Sequence, residues 1–407
     1  MMSRFTGLRI AEVTGPNIFG GVTICLVSLS RRFAELGAEV TVQMNDPRAG
    51  RILRAAGIKV ERVGGLVHPI RPPQDIAGIF RLARWMRARR FDIVHTHTSK
   101  GGFMGRIAAR MAGVPVVLHT AHGLPFHEAS PWAKIKAYSA LKRVAALCCD
   151  KIISVSREHA RWIVELGIAP AEKVTVIRNG VRIGEAPTDE GKRAARRRLG
   201  LPESAPVLLC AGRLVRQKNY ADMLRALIPL SARFPKLRLL IAGDGPLEEQ
   251  LGSLAGRLEV RDSVSFLGFR SDVPDLLAAC DVVPMTSLWE GLPLALLEAM
   301  AAARPCVAYA IMGVREVIRD GETGILAPPG QPEALAGGIA GLLEQPERAA
   351  QMGRMARSQV QAEFAMERFL AEHEALYADL VRASPRAAHS RRVRGTKLSP
   401  TPLARSE

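Results

Sequence analysis

Aromatic side chains are scarce in this chain, 5% of 407 residues, and no RNA- or DNA-binding motif is present, which argues against a nucleic-acid-binding role. Cysteine is limited to Cys25, Cys148, Cys149, Cys210, Cys280 and Cys306, with no C-x-x-C spacing. Most lie in apolar runs, so buried free thiols are expected rather than disulfides or a metal site, and a reducing cytoplasm fits. No run of 18 or more apolar residues occurs, and MMSRFTG leads directly into the strand-like LRIAEVT. Neither a membrane span nor a signal peptide is expected. A D-x-D motif is also missing.

What is present is a chain of two-domain length, with 48% hydrophobic and 24% charged residues, an ordinary globular composition. The net charge of +18 is uneven: residues 1 to 180 carry +15, residues 181 to 380 carry −3, and the remainder +6. A basic first half suits an anionic partner such as a membrane surface, a phosphorylated lipid or nucleic acid, although an Arg-rich genomic composition would give the same excess.

Short apolar runs alternate with helical patterns, the signature of parallel sheets with crossover helices. The runs are LRIAEVT, AEVTVQM, KVERVG, FDIVHTHT, PVVLHTAHG, KIISVS and VTVIRNG, and then VLLCAGR, LRLLIAGDG, VSFLG, VVPMTS, PCVAYA and GILAP. The fold class expected is therefore α/β, with two tandem Rossmann-like domains facing across a cleft. The expected division is 1–182 for the first Rossmann-like domain, 183–203 for a linker with a short helix, 204–360 for the second Rossmann-like domain, 361–382 for a C-terminal helix and 383–407 for a disordered basic tail. Ligands should bind at the C-terminal ends of the strands.

The second half carries the clearest chemistry. In AGRLVRQKN, Arg213 and Lys218 follow a strand and can neutralise a diphosphate, the guanidinium as a fork and the ammonium as a compact charge. In SLWEGLPLALLEAM, Glu290 lies in a loop and Glu298 in a helix apolar nearly all round, so Glu298 needs a polar partner such as a ribose hydroxyl pair. Backbone N–H groups of Gly291 and Leu292 at that helix's start suit phosphate or sugar. Gly243, in IAGDG, and Gly268, in VSFLGF, mark turns where a ligand can approach the backbone.

These segments resemble the retaining glycosyltransferases of family 4, which have the GT-B fold, and the resemblance runs from IFGGVTICLVSLSRRFAELGAEV through the Glu-x7-Glu segment to GETGILAPPG. The stretch VHTHTSKGGFMGRIAARMAGVPVVLHTAHGLPF is similar to the branch that builds capsular and O-antigen polysaccharides on polyprenyl diphosphate carriers. The resemblance implies a glycine turn at Gly20 and Gly21 near the donor phosphates, and His122 beside the transferred sugar. It implies a diphosphate-binding pair in Arg213 and Lys218, a sugar-orienting Glu290 and a ribose-binding Glu298. Phe266 to Gly268 fall at the base, and Asn179 and Gly180 at an inter-domain position. It also implies a nucleotide-sugar donor, expected to be UDP-linked, retention of configuration by front-face displacement, and no metal. His95, His97, His119 and His127 match no known ligand spacing, and only His122 is retained as functional.

Lys100 and Arg106 are candidates for a carrier diphosphate on the acceptor side. The basic amphipathic stretches RLARWMRARR and WAKIKAYSALKRVAALCC suit the inner leaflet of a membrane, without crossing it. The partners expected are thus a nucleotide sugar, a lipid-linked or glycan acceptor and an anionic membrane surface, with no nucleic acid. A soluble transferase with a small acceptor, or a sugar-nucleotide epimerase of the same architecture, stays open as the alternative.

Overall fold

The computed structural model describes residues 4–15, 20–66, 71–128 and 130–385. The basic tail beyond 385 lies outside the described residues. The chain divides into two compact units. One comprises residues 1–155, 160–177 and 370 onward, the other residues 156–159 and 178–369.

In the first unit the chain runs β1 (Arg9–Val13), α1 (Gly21–Glu35), β2 (Glu39–Gln43), α2 (Pro47–Ala55), β3 (Lys59–Glu61), α3 (Pro72–Arg89), β4 (Ile93–His97), α4 (Ser99–Ala112), β5 (Val116–Ala121), α5 (Trp132–Leu147), β6 (Lys151–Ser154), α6 (Arg157–Glu165) and β7 (Val174–Val176). The strands form one sheet in the order β3-β2-β1-β4-β5-β6-β7, with every pairing parallel. β4 and β5 are buried along their whole length, as strands covered on both faces must be. The order reverses between β1 and β4, which places a crevice at their C-terminal ends.

The second unit runs α7 (Asp189–Arg198), β8 (Val207–Ala211), α8 (Tyr220–Arg233), β9 (Arg238–Ala242), α9 (Glu248–Arg257), β10 (Val264–Phe266), α10 (Val273–Ala279), β11 (Val283–Met285), α11 (Leu294–Ala301), β12 (Cys306–Tyr309), β13 (Ile325–Ala327), α12 (Pro332–Glu344) and α13 (Pro346–Glu363), followed by α14 (Met366–Ala383). Two three-stranded parallel sheets, β10-β9-β8 and β11-β12-β13, are joined by a parallel bridge between Leu208 and Val282. The switch point therefore falls between β8 and β11, the strands that precede the Arg213–Lys218 and Glu290 segments.

Two boundaries differ from the sequence reading. The segment read as a linker contains α7, whose N-cap Thr188 accepts from Gly191 N. Buried Arg196 on this helix donates to the Asp281 carboxylate at 2.8 Å and to the Ala279 carbonyl, so the helix is built into the second unit. The short helix read in this segment is thus anchored by polar bonds rather than by an apolar stripe. The C-terminal helix read over 361–382 is α14, which starts at Met366, and the first residues of that span close α13. The break between α13 and α14 forms where Val181 N donates to Phe364 O and Met366 N donates to Val181 O, and most of α14 belongs to the first unit.

Candidate functional site

In the second unit, β8 delivers the chain to Gly212 and a loop that ends in a single 3-10 turn, Arg216–Lys218. This loop is stitched to the one after β11: Leu288 N donates to Gln217 O, Thr286 Oγ1 to Lys218 O, and Gln217 Nε2 to the Trp289 carbonyl. The stitching brings Lys218 Nζ to 2.6 Å from Glu290 Oε1, with both side chains mostly covered. Arg213 lies exposed in the same loop.

Beside this pair is a recess whose lining includes Lys218, Thr286, Ser287 and Glu298 together with apolar Leu209 and Met285. Glu298 comes from α11, whose other core-facing residues Leu296, Leu297, Ala299 and Met300 are buried. With no cation or donor at its carboxyl among the described residues, burial pushes Glu298 up to about 7. Ser287 Oγ is also buried without a partner. An unpaired carboxyl and an unpaired hydroxyl in one recess form a polar wall for a ligand with donors of its own, such as the hydroxyls of a sugar.

Gly291 and Leu292 are both buried, and the Leu292 carbonyl accepts from Asn179 Nδ2 at 3.0 Å. Asn179, given an inter-domain position by the resemblance, thus ties the chain entering the second unit to the loop that leads into α11. Gly243 has φ 151°, and a Cβ there would stand 2.0 Å from the Gly212 carbonyl oxygen. Its N–H donates to Gly268 O. This glycine lets two loops close on each other, a packing role that motif spacing alone does not separate from ligand approach. The Arg261 guanidinium stands over the ring of Phe266, 5.6 Å from its centroid.

In the first unit, Gly20 caps α1 with φ 132° and open space where a Cβ would stand. β1 and β4 then supply a polar interior that motif reading missed. Glu12, His95 and His97 are fully buried. His97 Nε2 is 2.7 Å from Glu12 Oε2, and His97 Nδ1 is 2.9 Å from Nε2 of half-buried His122. Tyr377 on α14 donates to Glu12 Oε1 at 3.3 Å and stands 2.6 Å from His95 Nδ1, while His95 Nε2 is 2.7 Å from Thr120 Oγ1. Burial pushes Glu12 up to about 8, partly offset by the Tyr377 hydroxyl, and pushes His97 down to about 3. Burial and the adjacent His97 likewise hold His122 well below the usual histidine range. Among the described residues, Glu12, His95 and His97 are the one group of three or more His, Cys, Asp or Glu side chains whose ligand atoms all lie within 4.8 Å of one another. Those atoms already face each other or Tyr377 in hydrogen bonds. The H-x-H pattern of β4 was visible in the sequence, but its partners Glu12 and Tyr377 are separated by 365 positions.

Residues 191–359 match the family model described as glycosyl transferases group 1, and residues 19–185 match that of glycosyltransferase family 4. EpsD of Bacillus subtilis, named as a glycosyltransferase, is 32% identical over 294 residues, 70% of this chain and 76% of that protein. The chain belongs to glycosyltransferase family 4. The UDP-Gal:α-D-GlcNAc-diphosphoundecaprenol α-1,3-galactosyltransferase of Escherichia coli is 35% identical over 259 residues, 62% of this chain and 66% of that enzyme. Among solved structures, Anabaena HepE in complex with UDP and glucose superposes with a TM-score of 0.79 at 23% identity, covering 91% of this chain and all of that one. This likeness establishes the GT-B fold, two Rossmann-like domains.

Within this glycosyltransferase the second unit brings Lys218, Glu290 and Glu298 to one strand-end region, and the first unit gathers His122 with His97 and Glu12. The acceptor-side pair is not brought to a shared surface. Lys100 Nζ is held 2.6 Å from Asp75 Oδ1 of α3. Arg106 is 2% exposed, with Nε donating to the Gly102 carbonyl and a terminal nitrogen 3.9 Å from Cys149 Sγ. Arg106 is therefore an interior brace between α4 and the end of α5, a correction to its reading as a carrier contact. An isolated Arg in an apolar helix gives no signal of which way it turns.

Proposed function

We propose that this glycosyltransferase transfers a sugar with retention from a UDP-sugar to a lipid-linked or glycan acceptor in cell-surface polysaccharide assembly, without a divalent metal. The observation that carries this reading is the Lys218–Glu290 pair beside the Glu298 recess at the switch point of the second unit. Arg213 and Lys218 balance the charge that grows on the departing diphosphate, so no bound cation is needed. Glu290, released from part of its contact with Lys218, accepts from hydroxyls of the donor sugar. Glu298 accepts from the ribose. The leaving phosphate helps to remove the acceptor proton, and no carboxylate is assigned as a covalent nucleophile. The HepE complexes with UDP and glucose and the diphosphoundecaprenol-linked substrate of the E. coli relative support this choice of donor and acceptor class.

The same reading places the first unit against an anionic membrane surface. α3 packs on α4 and α4 on α5, and this layer exposes Ile76, Phe80, Trp132, Leu141, Val144 and Leu147, with Leu147 75% exposed. Lys134, Lys136 and Arg143 lie among them on α5. Apolar side chains interleaved with cations suit a leaflet rather than water alone. No helix among the described residues is long and apolar enough to cross a membrane.

Thermal-shift measurements with the diphosphates of uridine, guanosine, adenosine and thymidine, each with EDTA or Mg²⁺, test the donor reading. A shift with UDP that EDTA does not alter is the expected result, and no shift with any of the four would remove the sugar-nucleotide assignment. Salt-sensitive sedimentation with anionic liposomes, lost on combining Trp132→Ser with Leu147→Ser, tests the surface.

A further inference from the structure

We propose that Glu12 and His97 are positioning residues that fix, through two successive hydrogen bonds, which ring nitrogen of His122 carries its proton. The inference rests on the reading of His122 as the residue beside the transferred sugar and specifies what that ring offers.

The chain of contacts is continuous. It starts at Glu12 Oε2, crosses His97 from Nε2 to Nδ1, and ends on His122 Nε2. Each link is at hydrogen-bond distance, and a neutral imidazole has one donor and one acceptor nitrogen. The direction of one bond therefore dictates the direction of the next. If Glu12 donates its carboxyl proton to His97 Nε2, then His97 Nδ1–H donates to His122 Nε2, and the His122 proton must be on Nδ1. If Glu12 accepts, every bond reverses and His122 Nδ1 is bare.

The surroundings select between these two. Glu12 is inaccessible to solvent, and no lysine or arginine reaches it among the described residues. An unpaired carboxylate at such a place is costly, whereas the neutral acid with the Tyr377 hydroxyl at its other oxygen is not. The raised proton affinity of Glu12 agrees. Glu12 therefore donates, and the protein presents His122 with Nδ1–H outward, a fixed donor for an oxygen of the bound sugar or its diphosphate. His122 is the one ring of the three-residue chain with solvent access, while His97 and Glu12 are sealed behind it. The arrangement selects the less common tautomer of a neutral histidine, which an isolated ring would not hold.

The test uses the full chain labelled with ¹⁵N-histidine, its His122 signals assigned by their loss in His122→Gln. Ring nitrogen shifts report the tautomer directly, without any substrate. The parent should show protonated Nδ1 and bare Nε2. Glu12→Gln, which keeps a donor toward His97, should retain that pattern, and Glu12→Leu and His97→Leu should release His122 to the Nε2–H form. In the transfer assay the two leucine variants should lose about tenfold in kcat with KM unchanged, with Glu12→Gln near the parent. Protonated Nε2 in the parent, or an unchanged His122 tautomer in His97→Leu, would overturn the proposal. If a leucine variant does not fold, His97→Ala serves in its place, since it leaves neither a donor nor an acceptor between Glu12 and His122. A missing UDP thermal shift would refute the donor reading while leaving the tautomer result to decide this one.

Discussion

Glu298→Gln should stabilise the protein at pH 8 and leave it nearly unchanged at pH 4.5, despite removing a carboxylate from the proposed ligand recess. Burial raises this carboxyl from 4.5 to about 7. A group whose folded-state value lies above its unfolded one binds protons more tightly when folded. Stability from this source therefore falls as pH rises from 4.5 to about 7 and stays lost above that. At about 1.36 kcal/mol per pH unit the full interval is roughly 3 kcal/mol, and water entering the open recess reduces it to about 1–3 kcal/mol. Glutamine resembles the protonated acid and does not titrate. Thermal unfolding at the two pH values is the assay, with an expected gain of several degrees at pH 8 only, given about 2–4 °C per kcal/mol for a domain of this size. The same substitution should weaken UDP binding about 10- to 100-fold, since hydrogen bonds to a charged group contribute about 1.5–3 kcal/mol. An equal gain at both pH values, or none at pH 8, would show that Glu298 is not a carboxyl held unpaired by burial.

Glu290→Ala is expected to abolish transfer with UDP affinity largely retained, whereas Arg213→Ala combined with Lys218→Ala loses both. Equal UDP affinity in the double variant and the parent, measured by calorimetry, would refute that division. Arg196→Ala should cost about 1–3 kcal/mol in urea unfolding, because it removes the bonds from Arg196 to the Ala279 carbonyl and to Asp281, which keeps Lys192 as its cation. Gly243→Ala should cost more than about 2 kcal/mol or prevent folding, since a Cβ would overlap the Gly212 carbonyl at 2.0 Å; a cost below 1 kcal/mol would mean the two loops separate freely.

The parallel-sheet architecture was legible because buried strands such as VLLCA and RLLIA are short apolar runs bounded by turn residues. Each of the thirteen runs read from the sequence contains one of β1 to β13. The Glu290 and Glu298 segment was legible for a related reason: a carboxylate inside an apolar helix conflicts with its surroundings unless something binds it. What the residue pattern did not show was direction and partnership. Lys100 and Arg106 lie six positions apart on α4, yet one reaches Asp75 and the other turns inward to Cys149. That Lys218 and Glu290 meet is a product of loop stitching between two non-consecutive strands. The Glu12–His97–His122 chain joins residues from β1, β4 and the end of β5, and no local periodicity records such a union.

The C-terminal helix has a consequence for how the protein is made. Tyr377 stacks on Phe33 at 4.4 Å between ring centroids and bonds to Glu12, 365 residues upstream. At 5–20 residues per second a ribosome needs about 20–70 s to travel that distance. For the part of it after β7 ends at Val176, about 10–40 s, the first unit has all seven strands but lacks its last wall, leaving Phe33 and the buried carboxyl of Glu12 open to water. The nascent first domain must therefore wait, incomplete, for the second to be synthesised. A gene truncated after β7 would encode a domain with a permanent gap, and a permutation that fuses α14 ahead of β1 would let that domain close as it emerges.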